Sequence, residues 1–259
     1  MRRKPGEYAG ALSRHLTEGA FTQGILRVLP FGSSILLHFP NTLKPLLRRG
    51  DACERALRML ARLPLDIRLH SSRVATLSFR TAQKMNLEKT VLKRIYLAGM
   101  FHDIGKVWVK KDILTKPHSL TPEEYEHVKQ HAWLGAHCVR IYLALPHVAD
   151  IVLHHHERID GKGYPVGLSG KEIPLESRVI AVADAYDAMV GGPGGSSRQY
   201  RPKRTREEAL KELIKGAGQQ FDSEVVKVFC EMMEDNGSLF KKMFSGRLRK
   251  EEAMAEGAG

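Results

Sequence analysis

From Asp51 onward, apolar residues recur at the spacing of amphipathic α-helices. The segment DACERALRMLARL has apolar residues three or four positions apart, and Pro64 follows it, so a helix is predicted that ends before the proline. A second helix is predicted over RLHSSRVATLSFRTAQKM. Its apolar stripe consists of Leu69, Val74, Leu77 and Phe79.

The next two helices carry recognisable end signals. LEKTVLKRIYLAGMFHDIGK predicts a helix that ends near Gly105, because glycine favours the C-terminal end of a helix. Thr121 and Glu124 form a capping box, and Pro122 takes the first helical position. We therefore expect a helix from there through His131.

Three more signals place helices in the C-terminal half. LESRVIAVADAYDAMV predicts a helix that is stopped by Gly191 and Gly192. Thr205 with Glu208 makes a second capping box, and Asp222 is positioned to cap SEVVKVFCEMM. The alternating pattern of β-strands is scarce throughout, so the sequence predicts an all-α protein built as a helical bundle.

The patterning also divides the chain. Residues 1–50 are weakly patterned and are expected to form a short helical cap or arm, whereas residues 51–245 form the helical domain. Residues 190–197, VGGPGGSS, are predicted to be a flexible insertion, and residues 246–259 a frayed tail.

Charge and cysteine content narrow the class of protein. Lys and Arg exceed Asp and Glu by 41 to 29, giving a net charge of +12, which attracts nucleic acid, anionic lipid or phosphorylated ligands without choosing among them. No run approaches the roughly 20 apolar residues of a membrane span, and no signal peptide is recognisable. Cys53, Cys138 and Cys230 form neither a CxxC pair nor a disulfide framework, so a cytoplasmic protein with buried thiols is predicted.

Imidazole and carboxylate groups recur where helices could bring them to a metal ion. The candidates are Asp66, His70, the His102–Asp103 pair, His131, the triplet at 154–156 and Asp184. Such ligands suit Fe, Mn, Zn or Ni, and the lack of nearby cysteines argues against a closed structural zinc site. Asp66 and His70 are four residues apart and share a helical face, although Asp66 could equally cap the helix after Pro64.

Asp103 and Lys106 are the candidate catalytic residues. A carboxylate at the end of an apolar helix is costly unless it is paired or metal-bound, and its two oxygens could bridge two cations. Lys106 lies one turn after His102, where its ammonium could meet a substrate phosphate or simply favour a helix C-terminus. The remaining histidines are read as surface or core residues. They are His15, His38, His118, His127, His137 and His147.

Five motifs occur along the chain in this order: HSSRV at 70–74, HDIGK at 102–106, ILTKPHSLTPEEYEHVKQH at 113–131, HHERIDGKGYP at 155–165 and VADAYDAM at 182–189. Together they resemble the HD-GYP domain family of the HD phosphohydrolase superfamily, over about residues 60–235. The resemblance implies an all-α HD-type bundle with a binuclear or trinuclear centre, usually of iron or manganese. It also implies hydrolysis of cyclic di-GMP to pGpG, and onward to GMP, by a metal-bridging hydroxide.

The motifs carry the family's roles onto residues of this chain. The implied metal ligands are His70, His102, Asp103, His131, His155, His156 and Asp184, with Asp103 bridging and Asp66 as a candidate for a third ion. The implied substrate contacts are Lys106, Gly161, Gly163, Tyr164, Arg198 and Arg201. Glu157, Asp160 and Asp187 are expected to support the ligands, the first two by orienting the histidines and bracing the turn. His154 is expected to neighbour the site without binding metal.

The sequence departs from the family pattern at one place, and alternative functions remain open. Eight residues separate Met189 from Arg198, more than the family usually has, so the insertion alters substrate access or is merely a tolerated surface loop. The activity could instead be hydrolysis of another cyclic dinucleotide, such as cyclic GMP-AMP. A catalytically weak sensor, or a module that docks a GGDEF-type diguanylate cyclase or another signalling protein, is the alternative from a different class. Nucleic acid is disfavoured as a partner because no basic–aromatic platform is evident, and a dimer is left open.

Overall fold

The computed structural model describes residues 58–191 and 203–233, and within these ranges the chain is helical and contains no β-strand. The predicted all-α class is therefore confirmed. Residues 58–61 are helical. The α-helices that follow are α1 (Leu65–Lys84), α2 (Lys89–Phe101), α3 (Lys111–Leu114), α4 (Pro122–Tyr142), α5 (Pro146–Leu153), α6 (Leu175–Val190), α7 (Arg206–Gly216) and α8 (Ser223–Met233). Two short 3-10 helices cover Ile104–Trp108 and Gly170–Glu172.

Several predictions fall outside the described residues. They concern the N-terminal arm at 1–50, the tail at 246–259, Cys53, and nearly all of the insertion with Arg198 and Arg201. Among the described helices, none is long and apolar enough to cross a membrane.

The helices pack around α1 and α6. Helix α1 contacts α2, α6 and α8, while α4 packs on α5 and on the first 3-10 helix. Val74, Ile95, Val139, Ile180 and Phe229, from five different helices, lie in one continuous buried cluster. Burying each such side chain contributes about 1.5–3 kcal/mol relative to leaving it in water, so this cluster is the main support of the fold.

The helix ends follow the sequence signals closely. Both predicted capping boxes are present, at Thr121 with Glu124 and at Thr205 with Glu208. The Asp222 carboxylate accepts hydrogen bonds from the backbone N–H groups of Glu224 and Val225, the second and third residues of α8. Helix α6 ends at Val190, and Gly191 follows it with a φ of 56°, in the left-handed region. These four predictions are confirmed.

The apolar stripe predicted for α1 was wrong in its direction. Val74 is buried as expected, but Leu69, Leu77 and Phe79 are only half-buried. The face that points inward also carries polar residues. It is formed by Ile67, His70, Ser71, Val74, Ala75, Ser78, Thr81 and Ala82. A count of apolar residues misses this face because the helix turns His70 toward the interior.

The predicted end of α2 was also wrong. The helix ends at Phe101, and Gly105 lies inside the following 3-10 helix. A Cβ atom at Gly105 would stand 1.9 Å from the carbonyl oxygen of His131, so the glycine is required for close contact with α4. Asp66 does not cap α1 either. Pro64 precedes the helix, and Asp66 lies in its first turn.

Candidate metal centre

Five helices bring imidazole and carboxylate groups to one place, from positions within three of them and from just after the ends of two. His70 lies on α1, His102 follows α2, His131 lies on α4, His155 and His156 follow α5, and Asp184 lies on α6. Two groups have ligand atoms within 4.8 Å of one another. We name them the aspartate group (His70, His102, Asp184) and the histidine group (His131, His155, His156).

Asp103 lies between the two groups. Its Oδ2 is 3.4 Å from His102 Nε2, and its Oδ1 is 3.4 Å from His131 Nε2. Two atoms that each lie about 2.1 Å from the same ion are about 3.0–3.4 Å apart. Each oxygen of Asp103 is therefore spaced to share one ion with a histidine of a different group, which is the geometry of a bridging carboxylate.

Three of the histidines are oriented by their own helices. In each, Nδ1 bonds the backbone carbonyl of the residue three positions earlier: His102 to Gly99 at 2.8 Å, His131 to Val128 at 2.6 Å and His155 to Val152 at 2.6 Å. A carbonyl oxygen can only accept, so Nδ1 must carry the proton. The Nε2 atom of each ring is thereby left to face the cluster with its lone pair.

The arrangement of these Nε2 lone pairs shows whether the residues could bind a metal ion. His131 Nε2 and His155 Nε2 are 3.4 Å apart. Burial lowers the pKa of His131 to about 4 and that of His155 to about 3, so both rings are neutral at pH 7. His102 Nε2 is also buried and has no hydrogen-bond partner within the described structure. The facing lone pairs of His131 and His155 repel each other without a shared proton, and a divalent cation between them would satisfy both; a second cation would satisfy His102.

The aspartate group differs because its charges are already paired. His70 Nε2 is 2.9 Å from Asp184 Oδ1, and His70 Nδ1 is 2.7 Å from Asp187 Oδ2. Burial disfavours the charged ring, but the two carboxylates outweigh it and raise the pKa of His70 to about 9. Burial likewise opposes ionisation of Asp184, yet the neighbouring imidazoles, His70 foremost, hold its pKa below the ordinary value. The proton that His70 shares with Asp184 therefore lies where a cation would bind, and metal binding would displace it.

Lys106 reaches the same cluster from the 3-10 helix. Its Nζ is 2.6 Å from Asp103 Oδ2. Although burial opposes ionisation, the ammonium and the neighbouring histidines hold the pKa of Asp103 well below its usual range. The side chains of Lys106, His156 and Asp184 are 20%, 25% and 17% exposed, whereas Asp103 is nearly inaccessible. The centre therefore opens to solvent on the side of Lys106.

Within the histidine triplet, His155 and His156 belong to the histidine group, whereas His154 does not. Helix α5 ends at Leu153, and residues 154–156 form a turn, so the rings of His155 and His156 converge to a centroid distance of 4.0 Å. His154 is outside both groups, and its Nδ1 is 3.7 Å from Glu157 Oε1.

Glu157 braces the loop that follows the triplet. Its buried carboxylate accepts hydrogen bonds from the backbone N–H groups of three consecutive residues, at positions 166–168. Asp160 pairs with the Arg158 guanidinium and accepts from the Lys162 N–H. Neither carboxylate orients a histidine of the cluster, contrary to expectation, because the backbone carbonyl of Val152 does this for His155.

The two glycines of the loop serve its own conformation. Gly161 has a φ of 73°, and a Cβ atom on Gly163 would lie 2.5 Å from the backbone nitrogen of Arg158. The loop places the ring of Tyr164 4.8 Å from that of His156. Lys129 Nζ is 5.6 Å from the Tyr164 ring centre, so a cation and an aromatic face stand beside the centre.

Asp66 belongs to neither group of ligand atoms. The sequence interpretation missed Arg73, which donates two hydrogen bonds to Asp187. The available signal was its position in HSSRV, three residues after His70 and therefore on the same side of α1. The backbone carbonyls that orient His102, His131 and His155 carry no sequence signal, because every residue type has one.

Comparison with known proteins gives consistent matches. The model of the HD domain family matches residues 53–225. A cyclic di-GMP phosphodiesterase of Thermotoga maritima is 37% identical over 180 residues, covering 69% of this chain and 48% of the relative. The 3'3'-cGAMP-specific phosphodiesterase 1 of Vibrio cholerae is 36% identical over 141 residues, covering 54% of this chain and 32% of the relative. The chain thus spans about half or less of the length of these curated relatives.

A solved structure matches the fold. Bd1817, an HDG"Y"P protein from Bdellovibrio bacteriovorus, aligns with a TM-score of 0.53 at 23% identity, covering 64% of this chain and 52% of the other. At this identity the match concerns the helical architecture alone.

Proposed function

Since this chain belongs to the HD domain family, we propose that it hydrolyses a phosphodiester bond of a cyclic dinucleotide with the help of two divalent metal ions. The observation that carries the proposal is the carboxylate of Asp103, whose two oxygens face two separate groups of ligands. A single-ion site has no need for a buried carboxylate at the midpoint of two triads. A purely structural role would leave the facing imidazole lone pairs unsatisfied.

The residues of the chain would divide the work as follows. The aspartate and histidine groups would each hold one ion, and Asp103 would hold both at a fixed separation. Bound in this way, such ions lower the pKa of a coordinated water and neutralise charge on phosphoryl oxygens. Lys106, on the solvent side of Asp103, would bind a phosphate oxygen and orient the substrate. A third ion at Asp66 is not needed for this scheme.

Cyclic di-GMP is the first candidate substrate, with pGpG and then GMP as products, because the Thermotoga maritima relative carries that name. Cyclic GMP-AMP is the second, on the strength of the Vibrio cholerae relative. The ring of Tyr164 beside His156 offers a face on which a nucleobase could stack. Contacts from Gly161, Gly163, Arg198 and Arg201, the choice of iron or manganese, a protein partner and a dimer remain predictions. The two described cysteines are buried free thiols, which supports a cytoplasmic location.

The experiment combines metal content with product analysis. Protein loaded with Mn²⁺ or Fe²⁺ should convert cyclic di-GMP to a linear product that is resolved by chromatography, with cyclic GMP-AMP tested in parallel. Asp103→Asn should lose one or both ions and all turnover. Asp150→Asn, at an exposed carboxylate that pairs with Arg140, is the matched control and should behave as wild type. Wild-type protein that holds two ions yet yields no product from either dinucleotide would contradict the enzymatic proposal and favour a sensor.

A further inference from the structure

We propose that Arg73 is a positioning residue that sets the metal affinity of the aspartate group, acting through Asp187 and His70. The consequence is that the two ions bind with unequal affinity, the tighter one at the aspartate group. The inference rests on the metal centre proposed above. The inference goes beyond that centre because Arg73 belongs to neither group of candidate ligand atoms.

The contacts form a continuous chain from Arg73 to the ligand. Arg73 Nε donates to Asp187 Oδ1 at 2.7 Å, and Arg73 Nη2 donates to Asp187 Oδ2 at 2.9 Å. The same Oδ2 accepts a hydrogen bond from His70 Nδ1 at 2.7 Å. A guanidinium that meets both oxygens of a carboxylate fixes the plane of that carboxylate. The plane of Asp187 in turn fixes the rotation of the His70 ring and keeps Nδ1 as the donor.

The same helices supply both the ligands and their support. His70 and Arg73 are one turn apart on α1, and Asp184 and Asp187 are one turn apart on α6. The link between Arg73 and Asp187 therefore holds the two helices together at the level of the candidate ion. Asp187 is 3% exposed, so water competes little for these hydrogen bonds.

Within residues 58–191 and 203–233, neither His131 nor His155 bonds a carboxylate through Nδ1, and His156 Nδ1 is 4.0 Å from Asp184 Oδ2, beyond hydrogen-bond distance. The rings of His131 and His155 bond neutral backbone carbonyls, whereas His70 bonds a charged carboxylate. A carboxylate on Nδ1 makes the opposite nitrogen a stronger electron donor, and loss of such a partner typically weakens metal binding by about 10–100-fold. Asp184 adds a negative charge on the same side. Both effects favour a cation at the aspartate group.

The test is a titration of metal-free protein with Mn²⁺, followed by calorimetry and by the electron paramagnetic resonance signal of free Mn²⁺. Wild-type protein should take up two ions in two separable steps. Arg73→Gln should weaken the tighter step by about 10–100-fold and leave the weaker step in place. Arg73→Lys keeps the charge but cannot bind both oxygens of Asp187. Its Mn²⁺ affinity in the tighter step should therefore lie between those of wild type and Arg73→Gln. His156→Ala should remove the weaker step only, which assigns the steps to the two groups.

Two comparisons separate positioning from general damage. Arg80→Gln changes an exposed arginine further along α1 and should titrate as wild type. Asp187→Asn should reproduce Arg73→Gln, and the double variant should be no weaker than either single variant, since both act through one path. The circular dichroism spectrum of metal-free Arg73→Gln should match wild type. If that variant does not fold, Arg73→Lys provides the comparison.

Several outcomes would overturn the inference: Arg73→Gln or Arg73→Lys titrating as wild type, equal weakening of both steps, or additive effects in the double variant. Hydrolysis of the cyclic dinucleotide is measured in a separate assay. Wild-type protein that binds two ions but hydrolyses no cyclic dinucleotide refutes the proposed function and leaves the result for Arg73 unchanged.

Discussion

Replacing Gly105 with alanine should disturb the candidate metal centre by pushing the 3-10 helix away from α4. A Cβ atom at this position would stand 1.9 Å from the carbonyl oxygen of His131 and 2.7 Å from the amide nitrogen of Gly135. Non-bonded carbon and oxygen atoms rarely approach closer than about 3.0 Å, because repulsion rises steeply below that distance. One of the two backbones must therefore move by about 1 Å, the difference between these distances.

The displacement falls on two candidate ligands, since Gly105 is two residues after Asp103 and the clashing carbonyl belongs to His131. A misplacement of about 1 Å in a reacting site can reduce the rate by about 100-fold. A forced backbone shift in a packed region costs about 1–3 kcal/mol of unfolding free energy. For a domain of about 150–250 residues this corresponds to a fall in Tm of about 2–12 °C.

Three measurements address this variant: hydrolysis of cyclic di-GMP, Mn²⁺ binding, and calorimetric unfolding of the metal-free protein. Gly135→Ala is the matched control at the same interface, because its Cβ would lie 3.2 Å from the Gly105 nitrogen and needs only a slight adjustment. Gly105→Ala protein with wild-type turnover, two bound ions and an unchanged Tm would refute the packing argument.

Three further predictions concern the supports of the fold and the centre. Glu157→Gln should lower the unfolding free energy by about 1–3 kcal/mol in denaturant, because a neutral amide has one acceptor oxygen for the three N–H donors at 166–168; unchanged stability would show that water replaces the carboxylate. Thr121→Ala should cost about 1 kcal/mol through loss of the hydrogen bond to the Glu124 N–H, and an unchanged Tm would contradict the role of the cap. Free Mn²⁺ at about 100 times its Kd should stabilise the folded protein by about 2.7 kcal/mol per ion, and chelation should reverse the resulting rise in Tm. Identical melting with and without Mn²⁺ would argue against a metal centre.

The sequence predicted most of the helical frame because helix ends depend on local chemistry. Thr121 and Thr205 act through neighbours three residues away, so their capping boxes could be recognised without the fold. The end of α2 could not be predicted, because Gly105 is required for close contact with the backbone of α4 and does not terminate the helix before it. The prediction of the buried face of α1 was wrong for a similar reason. His70 is buried by contacts with Asp184 and Asp187, more than 100 positions along the chain.

The resemblance of the motifs identified the candidate ligands, and the structure shows which contacts orient them. His155 and His156 converge because α5 ends just before them. The separation of the ligands into two triads on either side of Asp103 could not be read from the sequence. It depends on the crossing of helices that are far apart along the chain. Arg73 was missed because a solvated surface arginine and a supporting one look alike until Asp187 is placed beside it.

The two ways of orienting histidines imply different tolerances to mutation. Every amino acid supplies a carbonyl, so exchanging the side chain at Val128 or Val152 leaves the acceptor for His131 or His155 in place, subject to packing. Gly99, which supplies the acceptor for His102, has no room for a side chain, because a Cβ atom would lie 2.6 Å from Ala75 Cα. His70 instead depends on the side chain of Asp187. In a saturation mutagenesis screen, positions 128 and 152 should accept many apolar residues, whereas position 187 should accept almost none. Substitutions behind His131 and His155 are therefore expected to be tolerated more often than substitutions of Asp187.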